Sequence, residues 1–358
     1  MSLRPSSSFP ARERVRRVWL RVILGLCAGV GIAVAMVLYL GISQRELVRD
    51  LRHVLVWPLL VAAAGSLVLL ALQALRWWIV MRPVLSLSYS QAYRALAVGY
   101  LFNVLLPARA GDLLRVQYLG NRTGVSRAKL LGTEIVDFCS DKWGWVAAFP
   151  IVCLLGAPPP AWLFRALALL SGCVLLAACV LALMGSRLGR TTAAGTAWGP
   201  EWLRNLRDGF AVQQWKRLAW LETLIAPLPW LWETGVIWVA VKAIGFSLTP
   251  MQAFAVLTAF NLAMVVPSPA NIGAFESGGT VALIQFQVPN AAALAFIFLY
   301  HLTQVIPSMA AGALVLILEG EALFGRRGVL KASAGRPATS TREEQERVLG
   351  QANPVHEN

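Results

Sequence analysis

The strongest constraint on this chain is an apolar stretch too short for the role its composition implies. Residues 91–115 read QAYRALAVGYLFNVLLPARAGDLLR, and about sixteen of them precede Pro107. A helix needs ~20 apolar residues to cross a hydrocarbon core. Pro107 and Gly111 then break the helix, and Arg109, Asp112 and Arg115 crowd around the break. Proline lacks a backbone donor and glycine accepts any dihedral angle. The pattern predicts a segment that dips into a bilayer and turns back. Broken backbone at that depth survives only where protein covers it or a wet cavity receives it.

The same design recurs. Ser86-Leu-Ser-Tyr-Ser-Gln91-Ala-Tyr93 aligns with Ser247-Leu-Thr-Pro-Met-Gln252-Ala-Phe254, and Phe102-Asn103, Pro107 and Gly111 align with Phe260-Asn261, Pro267 and Gly273. Small insertions and deletions keep the match from being gapless. An internal duplication is expected, and paired, interrupted apolar segments in corresponding halves point to a transporter's binding site.

Composition sets the class. Hydrophobic residues make up 57% of the chain and charged ones 14%, which predicts an all-α polytopic membrane protein. The net charge of +14 does not indicate nucleic acid, because the arginines lie between apolar spans, where anionic head groups and topology account for them. The five cysteines and three histidines show no metal-ligand spacing, so neither a metal nor another cofactor is expected.

In chain order, residues 1–17 form a basic arm expected to be disordered. Membrane repeat 1 (18–155) holds spans at 18–40 and 56–81, a re-entrant hairpin at about 88–120 and a third span at 129–155. The stretch 41–55 reads as an amphipathic interfacial turn, and Trp77 and Trp78 as part of an interfacial belt. Membrane repeat 2 (156–318) holds spans at 161–184 and 218–241, a hairpin at about 250–289 and a last span at 291–318. Pro227 and Pro229 are expected to kink the fifth span, and 185–217 to be the longest internal loop. Residues 319–358 are expected to be a disordered cytoplasmic tail.

With both termini cytoplasmic, most Lys and Arg outside the spans fall inside. The count works only if each hairpin leaves on the side it entered. Two spans, a hairpin and a third span make an odd number of crossings, so the halves come out as inverted repeats. The expected location is the plasma (inner) membrane.

Charges inside spans mark the candidate site, because each costs about 3 kcal/mol or more near mid-bilayer. Glu134, Asp137 and Asp141 fall on one face of the third span, within about 60° of one another at 100° per residue. Asp141 and Lys142 also read as structural pairs. Arg109 and Arg115 are candidates for phosphate contacts, which a guanidinium fork matches. Asp112 reads first as the cap of the restarting helix. Arg76 is either a further cation of the site or a side chain snorkelling to the head groups. Asn271 and Glu276 flank the second break, where Glu276 is a counter-charge, a proton carrier or a helix-start carboxylate. Asn103 and Asn261 are expected to bond the freed backbone at each break.

Together these residues resemble the lysylphosphatidylglycerol synthase transmembrane, or flippase-like, family. The matching pieces are Leu75-Arg76-Trp77, Asn103-x3-Pro107-x3-Gly111-Asp112-x2-Arg115, Glu134-x2-Asp137, Pro267-Ser-Pro269-x3-Gly273-x2-Glu276, and Tyr300 with Pro307. The resemblance spans roughly residues 18–320. It implies a lipid-translocating domain, fused in the bifunctional synthases to a soluble aminoacyl-transferase domain. Some forty residues follow the last span here, so lysyl transfer is not expected. Ile135 and His301 stand where the family often has arginine. His301 would keep a head-group contact in a pH-dependent form.

The resulting expectation is an integral membrane lipid flippase or transporter, not an enzyme, moving a charged phospholipid or lipid-linked head group between leaflets. Its partners are membrane lipids with anionic or zwitterionic head groups, and association into a homo-oligomer is left open. Its binding set is Arg76, Arg109, Asp112, Arg115, Glu134, Asp137, Asn271, Glu276 and His301. The rival is a membrane enzyme or accessory subunit of lipid or lipid-linked glycan synthesis. Asp137→Asn and Arg115→Ala are expected to cut translocation and leave folding intact.

Overall fold

A computed structural model describes residues 43–82, 85–106, 109–155, 158–192, 201–210, 224–266 and 268–319, with 23, 27, 30–32 and 34–42. The basic arm, the tail beyond Glu319, most of the first span, Pro107 and Pro267 lie outside the described residues.

The described residues form helices and no strands: α1 (Gln44–Arg52), α2 (Val56–Met81), α3 (Tyr89–Leu105), α4 (Ala110–Thr123), α5 (Arg127–Cys153), α6 (Ala161–Thr192), α7 (Glu201–Phe210), α8 (Pro227–Ala240), α9 (Pro250–Ala263), α10 (Ala274–Gln285) and α11 (Asn290–Glu319). Among them, α2 and α11 are long and apolar enough to cross a membrane. At 27 residues α5 matches them in length, but it carries Glu134, Asp137, Asp141 and Lys142.

Local sequence explains the helix starts. Ser88 caps α3, and Gln91 reaches back to the Ser88 N–H at 2.9 Å. Thr249 caps α9, and Gln252 reaches back at 2.8 Å. Each is a reciprocal cap that satisfies two orphan donors. These are the aligned Ser-x-x-Gln and Thr-x-x-Gln pieces, so the sequence repeat is also a repeat of local structure. Ser43 and Glu46 cap α1 in the same way.

Both expected breaks are present. α3 and α4 pack as one helical hairpin, α9 and α10 as another. The chain passes each break through left-handed backbone, Arg109 (φ 54°) in the first and Ala270 and Asn271 (φ 52° and 58°) in the second. Non-glycine residues rarely adopt this conformation, so packing must hold it. Close glycine contacts supply that packing. A methyl on Gly111 would collide with the Gly99 carbonyl oxygen and fall 2.5 Å from the Asn103 nitrogen, and one on Gly278 would fall 2.6 Å from the Ala259 oxygen.

A helix, a hairpin and a long helix therefore occur twice, as α2, α3–α4, α5 and as α8, α9–α10, α11. The halves interlock. α11 packs along α2 and α3, and the turn at Pro269–Asn271 touches α3, so the break of the second hairpin meets the first.

Several expectations need correction. The 185–217 stretch is not simply a loop: α6 runs to Thr192, and α7 packs on α5 where Gly132 meets Gly209. Its polar composition hid an amphipathic helix, whose Leu206 packs with Val80 and Val136. Pro227 and Pro229 stand in the first turn of α8, where the missing N–H costs nothing, and do not kink a span. Trp77 is fully buried, not part of a belt. Glu319, expected in the tail, instead ends α11 in an ion cluster with Arg94 and Arg122 and a hydrogen bond from Tyr118.

Candidate functional site

A cavity of about 790 Å³ lies between the two breaks. The first hairpin contributes Tyr100, Asn103 and Arg109, and the second Asn261, Ala270, Asn271 and Phe275. α2, α5, α6, α8 and α11 close the walls, with Asp141, Lys142, Glu233, His301 and Gln304 among the polar lining residues. The paired breaks thus border a cavity whose mostly apolar lining carries a few charged and polar side chains.

Behind the wall at the first hairpin lies a buried ion network. Arg76 donates from Nε to Oδ1 of Asp137 (2.9 Å) and from Nη1 to Oδ1 of Asp141 (2.5 Å). Arg115 pairs with Glu134 and approaches Asp137 (4.0 Å) and Asp112 (3.9 Å). Its guanidinium also lies over the Trp77 ring, 4.6 Å from the centroid. The three α5 carboxylates do share a face, and that face is turned to two arginines. Arg76 is therefore a buried partner of Asp137 and Asp141 and does not snorkel.

The cavity itself does not touch Arg76, Asp112, Arg115, Glu134, Asp137 or Glu276. Of the expected binding set it receives Arg109, Asn271 and His301. Asp112 is not a cap, since Arg109 occupies the N-cap position of α4. Asp112 lies in the first turn instead, accepts from Asn103 Nδ2 at 2.9 Å and stands 3.4 Å from Arg109 Nε. The acid there still complements the positive end of the helix. Asn103 accordingly bonds a side chain and not the freed backbone, whereas Asn261 donates to the Leu257 carbonyl.

At the second break Glu276 occupies the matching first-turn position of α10. Its Oε2 accepts from the Gly273 N–H (2.6 Å), and its Oε1 shares a 2.6 Å hydrogen bond with His301 Nδ1. His301 stacks on Phe275 with centroids 4.2 Å apart, and Phe260, Phe296 and Tyr300 continue the aromatic layer.

On the opposite wall, Trp145 and Trp230 stack at 4.5 Å. Lys142 pairs with Asp141 (2.8 Å) and lies 5.4 Å from the centroids of both rings. Asp141 and Lys142 are thus a pair, as one sequence reading held, but they also line the cavity.

Residues 22–312 match the family described as the lysylphosphatidylglycerol synthase TM region. The chain belongs to that family. It is a membrane protein, and the family match together with the membrane-length helices α2 and α11 gives this lysylphosphatidylglycerol synthase-type region its transmembrane character. A comparison with curated proteins gives no match. Among the described residues no group of three His, Cys, Asp or Glu is placed to hold a metal ion.

One cavity residue escaped sequence analysis. Glu233 sits on α8 within Pro229-Trp-Leu-Trp-Glu-Thr-Gly and makes no hydrogen bond or ion pair among the described residues. A lone acid in an apolar helix is itself a functional signal.

Proposed function

We propose that this protein is a multi-pass lipid flippase of the plasma membrane, carrying a charged phospholipid or lipid-linked head group between leaflets without altering it. Its family belongs to membrane proteins of lipid synthesis or flipping. The observation that favours transport is the cavity between two helix breaks, with Arg109, Lys142, Asp141 and Glu233 on its walls. An ionic head group faces its barrier in hydrocarbon, where a charge costs several kcal/mol or more (roughly 3 to over 10). A polar passage for the head group, with the acyl chains left in lipid, lowers that barrier.

In this reading the two hairpins re-enter from opposite faces, the halves are inverted repeats, and both termini are cytoplasmic. The buried network of Arg76, Arg115, Glu134 and Asp137 stiffens the first hairpin, and the residues lining the cavity contact the head group. That division revises one expectation: Asp137→Asn and Arg115→Ala should lower folding yield as well as transport, since each strands a buried partner.

Purified protein in liposomes tests the function. Movement of labelled lipid between leaflets, with unchanged lipid mass, is the expected result, and a chemically modified lipid would replace transport with catalysis. Topology is tested at the aligned, exposed Ser86 and Ser247. Cysteines placed there in a cysteine-free background should label from opposite sides. Labelling of both from one side would remove the inverted repeat.

A further inference from the structure

Resting on the transport reading, we propose that the cavity receives a zwitterionic phospholipid head group, with Glu233 taking its ammonium and Arg109 its phosphate. The assignment follows from which charges are already satisfied. Asp141 is held by Arg76 and Lys142, and His301 by Glu276. Lys142 has Asp141 and the faces of Trp145 and Trp230. Two ionisable groups on the wall stand outside these pairings. Glu233, half-buried, has no hydrogen bond or ion pair among the described residues. Among the described residues Arg109 pairs with the Asp112 carboxylate alone, 3.4 Å from its Nε, and 65% of its side chain is exposed.

One carboxyl without a partner among the described residues and one exposed guanidinium with a single carboxylate partner, on the wall of one cavity, complement a head group that carries both charges. A lipid bearing phosphate alone would leave Glu233 uncompensated and beside an anion. A lone buried charge is costly, so the site discriminates against such a lipid as well as attracting the other. Gln304, also on the wall, has a buried amide nitrogen with no acceptor, and a phosphate or ester oxygen would supply one. Arg109 is held in left-handed backbone at the break, which fixes where its fork begins.

The test is native mass spectrometry of the full chain in mild detergent with dihexanoyl phosphatidylethanolamine and dihexanoyl phosphatidylglycerol. One added charge-assisted contact should give a preference of about tenfold or more for the ethanolamine lipid. Glu233→Gln should bring the two affinities within about threefold, and Arg109→Gln should weaken both together. Equal affinities in the wild type, or a preference that survives Glu233→Gln, would overturn the proposal. So would a Glu233→Gln effect that depends on pH and is the same for both lipids, which would make Glu233 a proton site instead. Binding is read apart from translocation. A retained preference with no flipping would defeat the transport reading alone, and flipping without a preference would defeat only this one.

Discussion

The two hairpins share a backbone and differ in chemistry. Each starts at a hydroxyl cap with a glutamine three residues on, each turns through left-handed residues, and each restarts with an acid in its first turn. The acids then diverge. Asp112 meets an asparagine and two arginines, at the edge of a network of buried ion pairs. Glu276 closes on its own backbone and on one histidine inside an aromatic stack. The first hairpin is braced by charge and the second by apolar and aromatic packing. The breaks depend on a few local residues that the two segments share, whereas each bracing layer draws on other helices, which differ between the halves.

The comparison can be broken most severely at Arg76. Arg76→Ala strands Asp137, leaves Asp141 with Lys142 alone and should cost about 3–5 kcal/mol, seen as a large fall in thermal unfolding temperature in detergent. An unfolding temperature near that of the wild type would show that charge does not brace the first hairpin. Next come the glycines: Gly111→Ala and Gly278→Ala should each cost about 1–3 kcal/mol through forced backbone shifts. Monomeric yield on size exclusion reads this, and an effect in one hairpin only would argue that the two close differently.

A smaller effect sharpens the contrast. Glu276→Gln keeps an acceptor for the Gly273 N–H and weakens the histidine contact, for a loss of about 1 kcal/mol. Loss as large as that of Arg76→Ala would mean the second hairpin also rests on charge. The smallest effects test the shared part. Ser88→Ala and Thr249→Ala should each cost about 1 kcal/mol, and by similar amounts. Unequal costs in denaturation midpoint would show that the caps differ in weight despite their common geometry.

Much of the fold was legible because it rests on neighbours in sequence. The breaks, the limits of α2 and α11 and the common face of Glu134, Asp137 and Asp141 follow from residues a few positions apart. Misreadings came where an element takes its meaning from something distant. α7 looked like a loop because its partner on α5 is some seventy residues away. Trp77 looked interfacial because Arg115 and the first hairpin cover it only after folding. Of the expected binding residues, the structure lines the cavity with Arg109, Asn271 and His301 and places the others behind the wall.

The sequence alone determined a helical membrane chain with two interrupted hairpins, because helix period, capping and chain-breaking act within about a turn or two of helix. Only the tertiary structure decided which charges are paired and which face the cavity. A side chain's charge is written in the sequence, but its compensation depends on what folding brings within about 4 Å of it. Arg76 and Arg109 are both arginines; one is buried between two carboxylates and the other stands exposed on the cavity wall beside one.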